Sequence, residues 1–357
     1  MIEKMRLPRG AKPLAFLANG ALAFSMGERI CVLDVDGRWT VRALLENPSG
    51  KSRLCRSRLI SRALRWEARC AVEVDGGLLV SWRGTLLHCD LRTGNVRSVF
   101  SARKGFSTPL TIQSTDGEVG AVWGDYGQNP EKKAVGIYGI SHDGGLRTFY
   151  EFPAGAVRHV HGFTPRLAGG WYVFTGDMEE AAGVYVASAD FSSVEPLAVG
   201  DQRFRAVRGY DTPEGLVFAT DSSIIKNHVY LLPNEKPGSL RVLADTNGPC
   251  IYGTPCEAGY LFSTTVEPDE RVRGVSSYLS AKLGPGVLTR ETQLLLVTNA
   301  AEVREVLRLK KDAYPMKLMQ YGSVQFASGQ ELRSGGVGFC RSLSDLDAIP
   351  VEIEVAQ

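Results

Sequence analysis

The sequence predicts an all-β fold, a β-propeller built from four-stranded antiparallel blades, with seven blades as the preferred number. Three observations predict it. A short turn-and-strand pattern recurs along the chain, alternating apolar runs flank each copy, and long helical periodicity is nearly absent. We expect residues 1–357 to form a single propeller domain. Six blades, or a pair of β-sandwiches, remain alternatives because the first and sixth units are long.

The recurring pattern is a glycine-containing turn followed by an alternating run that ends in small or aromatic residues. Its copies are spaced by roughly 40 to 65 residues, as propeller blades are. They occupy residues 19–24, 75–82, 116–123, 169–177, 214–222, 258–266 and 321–328. One copy in each meander and one meander in each blade predict seven blades. Radial packing of such repeated meanders hides the exposed edges of each sheet.

Further strand-like runs surround each copy. In the second unit, residues 68–74 precede the glycines, and residues 84–91 and 96–100 follow them. Turn residues between alternating runs are typical of hairpins, so each unit reads as a four-strand meander. Residues 300–311 fit either a helix or an alternating outer strand.

Composition limits the class of partner and the compartment. The net charge of +2 gives no electrostatic case for nucleic acid as a partner, and the basic run at residues 51–65 reads as a solvated loop. Seven scattered cysteines without a close CxxC pair suit a reducing compartment. There is neither a secretory segment nor an apolar stretch of the ~18–20 residues that a membrane helix needs. We therefore expect a cytoplasmic protein without nucleic-acid or membrane partners, and the oligomeric state stays open.

Histidines and arginines stand close together in the fourth and fifth units. His159 and His161 are spaced i, i+2 and so project from one face of a strand. On the next predicted inner strand, Arg203 and Arg205 share a face, with Gln202 just before them. Histidine exchanges protons near neutral pH, and paired arginines offer planar forks for carboxylate or phosphate.

Acidic residues end three predicted strands: Asp125, Asp177 and Asp221. Strand ends converge at one rim of a propeller, so we expect these carboxylates to face one opening. The adjoining loops add further polar side chains, Tyr126, Asn129 and Asn227. The alternative is structural: an aspartate at a strand end often caps a turn, and an arginine can brace neighbouring blades.

The central third of the chain, residues 123–223, resembles bacterial sialidase-like (BNR, or Asp-box) propeller proteins. Within it, SHDGG at residues 141–145 is similar to a degenerate Asp-box, a structural turn motif. The resemblance implies a propeller with a leaning towards carbohydrate. The arginine signature near the N-terminus of sialidases is not evident here. The sialidase pattern offers Arg203, Arg205, Tyr126 and Glu267 as counterparts of the carboxylate-binding arginines and the Tyr–Glu pair.

We therefore predict a carbohydrate-active enzyme, a glycoside hydrolase or polysaccharide lyase acting on an acidic or highly hydroxylated glycan. The predicted catalytic residues are His161, Asp177, Glu267 and Tyr126. In a hydrolase Asp177 or Glu267 supplies the acid or nucleophile; in a lyase His161 or Tyr126 moves the proton. The predicted substrate-binding residues are His159, Arg203, Arg205, Gln202, Asp125, Asn129, Asp221 and Asn227.

The competing hypothesis is a non-catalytic propeller that serves as a glycan-binding or protein-interaction scaffold. A metal site is a weaker alternative, because His159, His161 and a carboxylate suit zinc or manganese but the sequence places no third histidine. No dinucleotide or phosphate-loop motif occurs. The expected ligand is thus a saccharide or oligosaccharide, with no metal and no cofactor.

Overall fold

The computed structural model arranges the chain as a ring of four-stranded antiparallel sheets. It describes residues 1–46, 49–115, 119–141, 145–177, 179–234, 239–330 and 333–355. Within these residues there are seven sheets, each of which is one blade. The prediction of a seven-bladed β-propeller is confirmed.

The first half of the ring is built in chain order. Strand β1 (Ile2–Lys4) begins the chain. Blade 1 contains β2 (Lys12–Phe16), β3 (Leu22–Met26), β4 (Arg29–Leu33) and β5 (Trp39–Leu44). Blade 2 contains β6 (Ala71–Val74), β7 (Gly77–Trp82), β8 (Thr85–Asp90) and β9 (Val96–Ser101). Blade 3 contains β10 (Gln113–Ser114), β11 (Val119–Gly124), β12 (Val135–Ser141) and β13 (Leu146–Phe152).

The second half follows the same order. Blade 4 contains β14 (His159–Pro165), β15 (Trp171–Gly176), β16 (Gly183–Ala187) and β17 (Val194–Val199). Blade 5 contains β18 (Ala206–Thr212), β19 (Gly215–Thr220), β20 (His228–Pro233) and β21 (Arg241–Asp245). Blade 6 contains β22 (Cys250–Cys256), β23 (Gly259–Thr264), β24 (Glu291–Thr298) and β25 (Val303–Lys310). Blade 7 contains β26 (Ser323–Phe326), β27 (Gly336–Arg341) and β28 (Ile349–Ile353), joined by β1.

Burial within a blade follows from its position in the ring. The second strands β7, β15, β19 and β23 are buried along their whole length, because both faces pack against neighbouring blades. The outer strand β5 is almost entirely exposed. The first strand of each blade packs against the first strand of the next around a central channel. We call the end of the channel where these inner strands begin the upper mouth.

The two ends of the chain close the ring together. Strand β1 pairs with β28, so that Ile2 lies opposite Ile353 and Lys4 opposite Val351. A bridge between Ala15 and Ser328 joins the inner edges of blades 1 and 7. The first strand of the chain therefore completes the last blade, as the outer strand of its sheet.

Short helices lie in the connections at the upper mouth. They are α1 (Gly50–Leu54), α2 (Arg58–Leu64) and α3 (Met316–Met319), with 3-10 turns at Glu179–Ala181, Gln202–Phe204 and Val275–Tyr278. The interpretation of residues 51–65 as a solvated loop is wrong in two respects, because the segment contains most of α1 and all of α2 and because Arg62 is buried. Arg62 is 1% exposed and donates hydrogen bonds to the Met319 carbonyl, the Asp312 carboxylate and the Ser342 hydroxyl. These bonds tie α2 to the connection between blades 6 and 7 and to the end of β27.

The structure corrects the rank of one predicted strand and settles one ambiguous segment. The seventh copy, residues 321–328, contains the inner strand β26 and not a second strand; the second strand of blade 7 is β27. The ambiguous segment 300–311 contains β25, an outer strand. A single strand with one glycine turn before it does not reveal its rank in a blade, since all hairpins share that local pattern.

Two sequence features lie partly outside the described residues: the turn of the third copy at 116–118 and the centre of the Asp-box-like motif at 142–144. The seven cysteines are free thiols, six of them buried. Among the described residues, no helix has the length and apolar character that a membrane crossing requires.

Candidate functional site

Polar side chains from four consecutive blades meet at the upper mouth. They come from the start of an inner strand or from the loop after a second strand, positions that face the same end of the channel. We call them the upper-mouth cluster: Tyr126, His159, His161, Asp177, Arg205, Asp221 and Glu267. Each had been singled out from the sequence, and the structure brings all seven together.

The histidine pair lies on one face of β14, as its spacing predicts. The two rings stack with their centroids 4.8 Å apart, and the residues are 1% and 2% exposed. Nδ1 of His161 lies 2.8 Å from the Ala206 carbonyl oxygen, and Nδ1 of His159 contacts the Gly127 carbonyl oxygen. A carbonyl oxygen only accepts, so each Nδ1 carries the hydrogen and each Nε2 faces the cluster.

The Nε2 atoms of both histidines face the carboxylate of Asp177. Its Oδ1 lies 3.2 Å from Nε2 of His161, 3.5 Å from Nε2 of His159 and 2.8 Å from Nη2 of Arg205. Burial disfavours the carboxylate, but the two rings and the Arg205 charge outweigh it and hold the pKa of Asp177 well below its usual range. With 30% of its side chain exposed, Asp177 is open to solvent.

Glu267 has the opposite electrostatic character. It is 6% exposed and accepts a hydrogen bond of 2.6 Å from the Thr265 hydroxyl. Burial, followed by the negative charge of Asp221, raises the pKa of Glu267 to about 8, although Thr265 and Arg205 act in the other direction. Arg205 also reaches Asp221, at 3.8 Å. At neutral pH the cluster therefore holds a protonated carboxyl group beside an arginine.

Tyr126 covers the histidines with an aromatic face. Its ring centroid is 4.8 Å from that of His159, and the Arg69 guanidinium lies 5.5 Å from the tyrosine ring on a cation–π contact. Burial, reinforced by the charge of Asp177, raises the pKa of Tyr126. The phenol therefore stays a neutral hydrogen-bond donor at physiological pH.

Sequence reasoning missed three further residues around the cluster: Arg69, Tyr252 and Tyr321. Burial raises the pKa of both tyrosines, and Glu267 contributes to each shift. Position in the blade was the available signal. Arg69 and Tyr321 each stand two residues before an inner strand, at the end of the channel where His159 begins β14.

Three predicted substrate-binding residues are held by local structure. Asp125 accepts hydrogen bonds from Arg103, the Gly136 amide and the Tyr138 hydroxyl within blade 3. Asn129 donates to the Lys133 and Arg158 carbonyls. Asn227 is fully buried, with hydrogen bonds to Thr220, Ser222, Ile225 and Gly286. Asp125 therefore secures its own blade, while Asp177 and Asp221 flank Arg205.

The expectation that Arg203 and Arg205 share a strand face is wrong. Residues Gln202–Phe204 form a 3-10 turn and β18 begins only at Ala206. Arg203 accordingly turns outward, with 54% of its side chain exposed, and pairs with Asp201 at 2.8 Å. Gln202 turns inward, donating to the Asp177 carbonyl at 2.7 Å and accepting from the Ser222 hydroxyl at 2.9 Å. Gln202 thus positions Asp177 through the backbone carbonyl of that residue.

Two cavities lie away from the cluster. One, of about 460 Å³, lies beside α1 and α2 and is lined by several cations, Arg9, Lys12, Arg29 and Arg58 among them. The other, of about 310 Å³, opens at the lower end of the channel and is lined by Phe163, Arg208, Tyr260 and Phe326 among others. The upper-mouth cluster is therefore distinguished by its chemistry and not by cavity volume.

Gly176 leaves the space that the His161 ring fills. A Cβ at this position would lie 2.3 Å from Cε1 of His161. We expect Gly176→Ala to displace the ring and lower the free energy of unfolding by about 1–3 kcal/mol, as overpacking does. Urea unfolding measures this. Gly50→Ala is the control, because a Cβ there meets nothing within 4 Å; equal losses in both variants would contradict the packing argument.

Comparison with known proteins establishes the fold. No known family model and no curated protein matches the chain. Among solved structures it is similar to virginiamycin B lyase from Staphylococcus aureus, with a TM-score of 0.60, 10% identity, and coverage of 100% of this chain and 99% of that one. It is also similar to the Cps50 (Swd1) propeller domain of Myceliophteria thermophila, with a TM-score of 0.57, 9% identity and full coverage of both chains.

A chain of the mitotic checkpoint complex matches as well, with a TM-score of 0.56, 10% identity, and coverage of 100% of this chain and 91% of that one. Propellers of this shape thus include a lyase and a chain of a protein complex. At such low identity the likeness supports the fold alone.

Proposed function

We propose that this protein is a carbohydrate-active enzyme that cleaves an acidic or highly hydroxylated glycan at the upper mouth. The observation that carries the proposal is Glu267, a buried carboxyl group that stays protonated at neutral pH next to Arg205. Structural carboxylates are usually ionised and paired, whereas a general acid needs a proton at working pH. The acid lies among basic, aromatic and hydrogen-bonding groups from several blades.

Each neighbouring group has a role in such a reaction. Glu267 donates its proton to the glycosidic oxygen as the bond to the leaving sugar breaks. Arg205 and Arg69 supply positive charge for a sugar carboxylate, and arginine forks bind carboxylates in a defined orientation. Tyr126 presents a neutral phenol, able to donate a hydrogen bond to a ring hydroxyl. Gln202 fixes the backbone of the loop that carries Asp177.

Two routes from this arrangement give different products. In hydrolysis, Asp177 accepts the proton of the attacking water or attacks the anomeric carbon directly, and one water is added for each bond cleaved. In elimination, His161 takes the proton beside a uronate carboxylate, Glu267 donates a proton to the leaving oxygen as its bond to carbon breaks, a double bond forms, and no water is added. The mass of the products therefore distinguishes the routes.

The test is a screen with uronate-containing and neutral oligosaccharides, analysed by mass spectrometry. We expect the purified protein to shorten an acidic oligosaccharide, and Asp177→Asn and His161→Ala each to slow this at least about 100-fold. Asp190→Asn, which alters an exposed turn of the same blade, keeps wild-type turnover. Full turnover in both cluster variants would show that the catalytic assignment is wrong.

A second candidate, a non-catalytic scaffold, is favoured by one specific observation. The insertion after Glu267 exposes three apolar side chains in succession along a 3-10 turn, with Val275 85%, Tyr278 55% and Leu279 68% exposed. Exposed apolar patches commonly mark protein contacts. Under this alternative the same screen shows binding without any shortened product, and Val275→Asp abolishes capture of a partner and leaves glycan binding intact.

A further inference from the structure

We infer that His159, His161 and Asp177 form a binding site for a divalent transition-metal ion, such as zinc or manganese. The three side chains each offer one ligand atom, and these atoms lie within 4.8 Å of one another. Two imidazole nitrogens and a carboxylate oxygen are a common donor set for such ions. The inference concerns metal binding itself and does not depend on the proposed glycan cleavage.

The first argument is the orientation of the rings. Both Nδ1 atoms face backbone carbonyl oxygens, those of Gly127 and Ala206. Such bonds place a hydrogen on Nδ1, so that in the neutral form of each ring the Nε2 lone pair points to the opposite side. Metal-binding histidines generally hold their second nitrogen in this way.

The second argument is that three acceptors face one another. Nε2 of His159 and Nε2 of His161 both approach Oδ1 of Asp177, which has no hydrogen to give. Nε2 of His159 is buried and has no hydrogen-bond partner among the described residues. A buried acceptor without a donor, as Nε2 of His159 is in the neutral ring, is costly, and a cation beside it removes that cost.

The distances suit a metal ion. Zinc bonds to nitrogen and oxygen measure about 2.0–2.2 Å, so tetrahedral ligand atoms lie about 3.3–3.6 Å apart. The observed separations of 3.2 and 3.5 Å between Asp177 Oδ1 and the two Nε2 atoms are close to this range. The exposed side of Asp177 leaves a coordination position for water or a sugar oxygen.

The surroundings also support the ligands. Nη2 of Arg205 forms an ion pair with Asp177 Oδ1 at 2.8 Å, and Gln202 donates to the Asp177 carbonyl at 2.7 Å. Hydrogen bonds to a ligating carboxylate fix its orientation. The guanidinium charge also competes with a metal ion for the same oxygen. The alternative to a metal ion between the Nε2 atoms and Asp177 Oδ1 is a proton on a histidine, which would give an imidazolium–carboxylate–guanidinium ion cluster.

The experiment measures binding of the metal alone. The purified full-length protein is treated with a chelator, dialysed and titrated with zinc chloride and with manganese chloride by calorimetry, with bound metal counted by elemental analysis. We expect one equivalent of at least one ion to bind, and His161→Ala or Asp177→Asn to weaken its affinity at least about 100-fold. Asp177→Asn changes a partly exposed carboxyl to an amide of the same shape, so the variant tests the site without removing a side chain.

His228→Ala is the matched control, because His228 also faces an aspartate, Asp245 at 2.9 Å, but lies outside the cluster. It should bind the metal as the wild type does. Failure of the wild type to bind either ion would overturn the inference in favour of the ion cluster. Binding that survives in Asp177→Asn and His161→Ala, or that is lost equally in His228→Ala, would also overturn it. Glycan cleavage is not measured here. Failure to bind metal leaves the proposed function untouched, whereas a bound ion would occupy Nε2 of His161 and Oδ1 of Asp177 and leave Glu267 as the acid of that reaction.

Discussion

Replacing Glu267 with glutamine is expected to slow glycan cleavage by about 10²–10⁴-fold, the usual contribution of a general acid, because the amide has no proton to donate. In the wild type, the acid form of Glu267 exists below its pKa of about 8. Turnover should therefore fall as the pH rises through about 8. Steady-state rates between pH 5 and 9 measure both effects, and wild-type turnover in the variant would exclude Glu267 as the acid.

The same substitution should raise the free energy of unfolding. Replacing a carboxylate that stabilises the fold would lower it, so the sign of the change distinguishes a functional carboxyl group from a structural one. The pKa of Glu267 is raised from 4.5 to about 8, so the folded state keeps a proton that the unfolded chain releases. Wild-type stability consequently falls between about pH 4.5 and pH 8. Glu267→Gln removes this fall and gains as much as about 5 kcal/mol at pH 8.

Urea unfolding at pH 5 and pH 8 tests the stability effect. The gain of the variant over the wild type should be small at pH 5 and largest at pH 8. Glu257→Gln, at an exposed glutamate of the same blade, should change neither stability nor turnover. A gain that does not vary with pH would mean that Glu267 is already ionised in the folded protein, held by Arg205.

Arg62→Ala is expected to destabilise the fold by about 3–5 kcal/mol, the cost of breaking a buried ion pair from one side. The wild-type guanidinium contacts Asp312 at 2.7 Å, the Ser342 hydroxyl at 2.8 Å and the Met319 carbonyl at 2.9 Å. Truncation leaves these acceptors without their donor. The midpoint of thermal unfolding should drop by roughly 4–7 °C.

Calorimetry or circular dichroism measures the shift. Arg56→Ala provides the control, because Arg56 lies in the same basic run but is exposed, and its loss should cost less than about 0.5 kcal/mol. Arg62→Lys should fall between the two, since a single ammonium cannot reach three acceptors as a planar guanidinium does. If Arg62→Ala and Arg56→Ala lose the same stability, Arg62 does not brace the helical insertion.

Much of the fold was predictable because strands and turns depend on residues that are close together in the sequence. Glycine turns and period-two alternation identify strands and hairpins within a few residues of themselves, and their repetition indicates the blade number. The same locality placed His159 and His161 on one face, because alternation along a strand depends only on spacing. Six of the seven recognised copies contain second strands; the seventh was assigned the wrong rank because its signal is common to every hairpin.

The tertiary structure decided which polar residues act together. Arg62 and Met319 are 257 residues apart in the chain, and nothing near either one indicates their contact. Arg203 and Arg205 separate because a 3-10 turn precedes β18, and Asp125 faces Arg103 instead of the channel. The sequence alone thus determined the strands, the repeat and the histidine pair. Only the packing of the blades and their connections determined the protonated state of Glu267, the partners of Asp177 and the burial of Arg62. Burial and charge depend on neighbours that other segments of the chain supply.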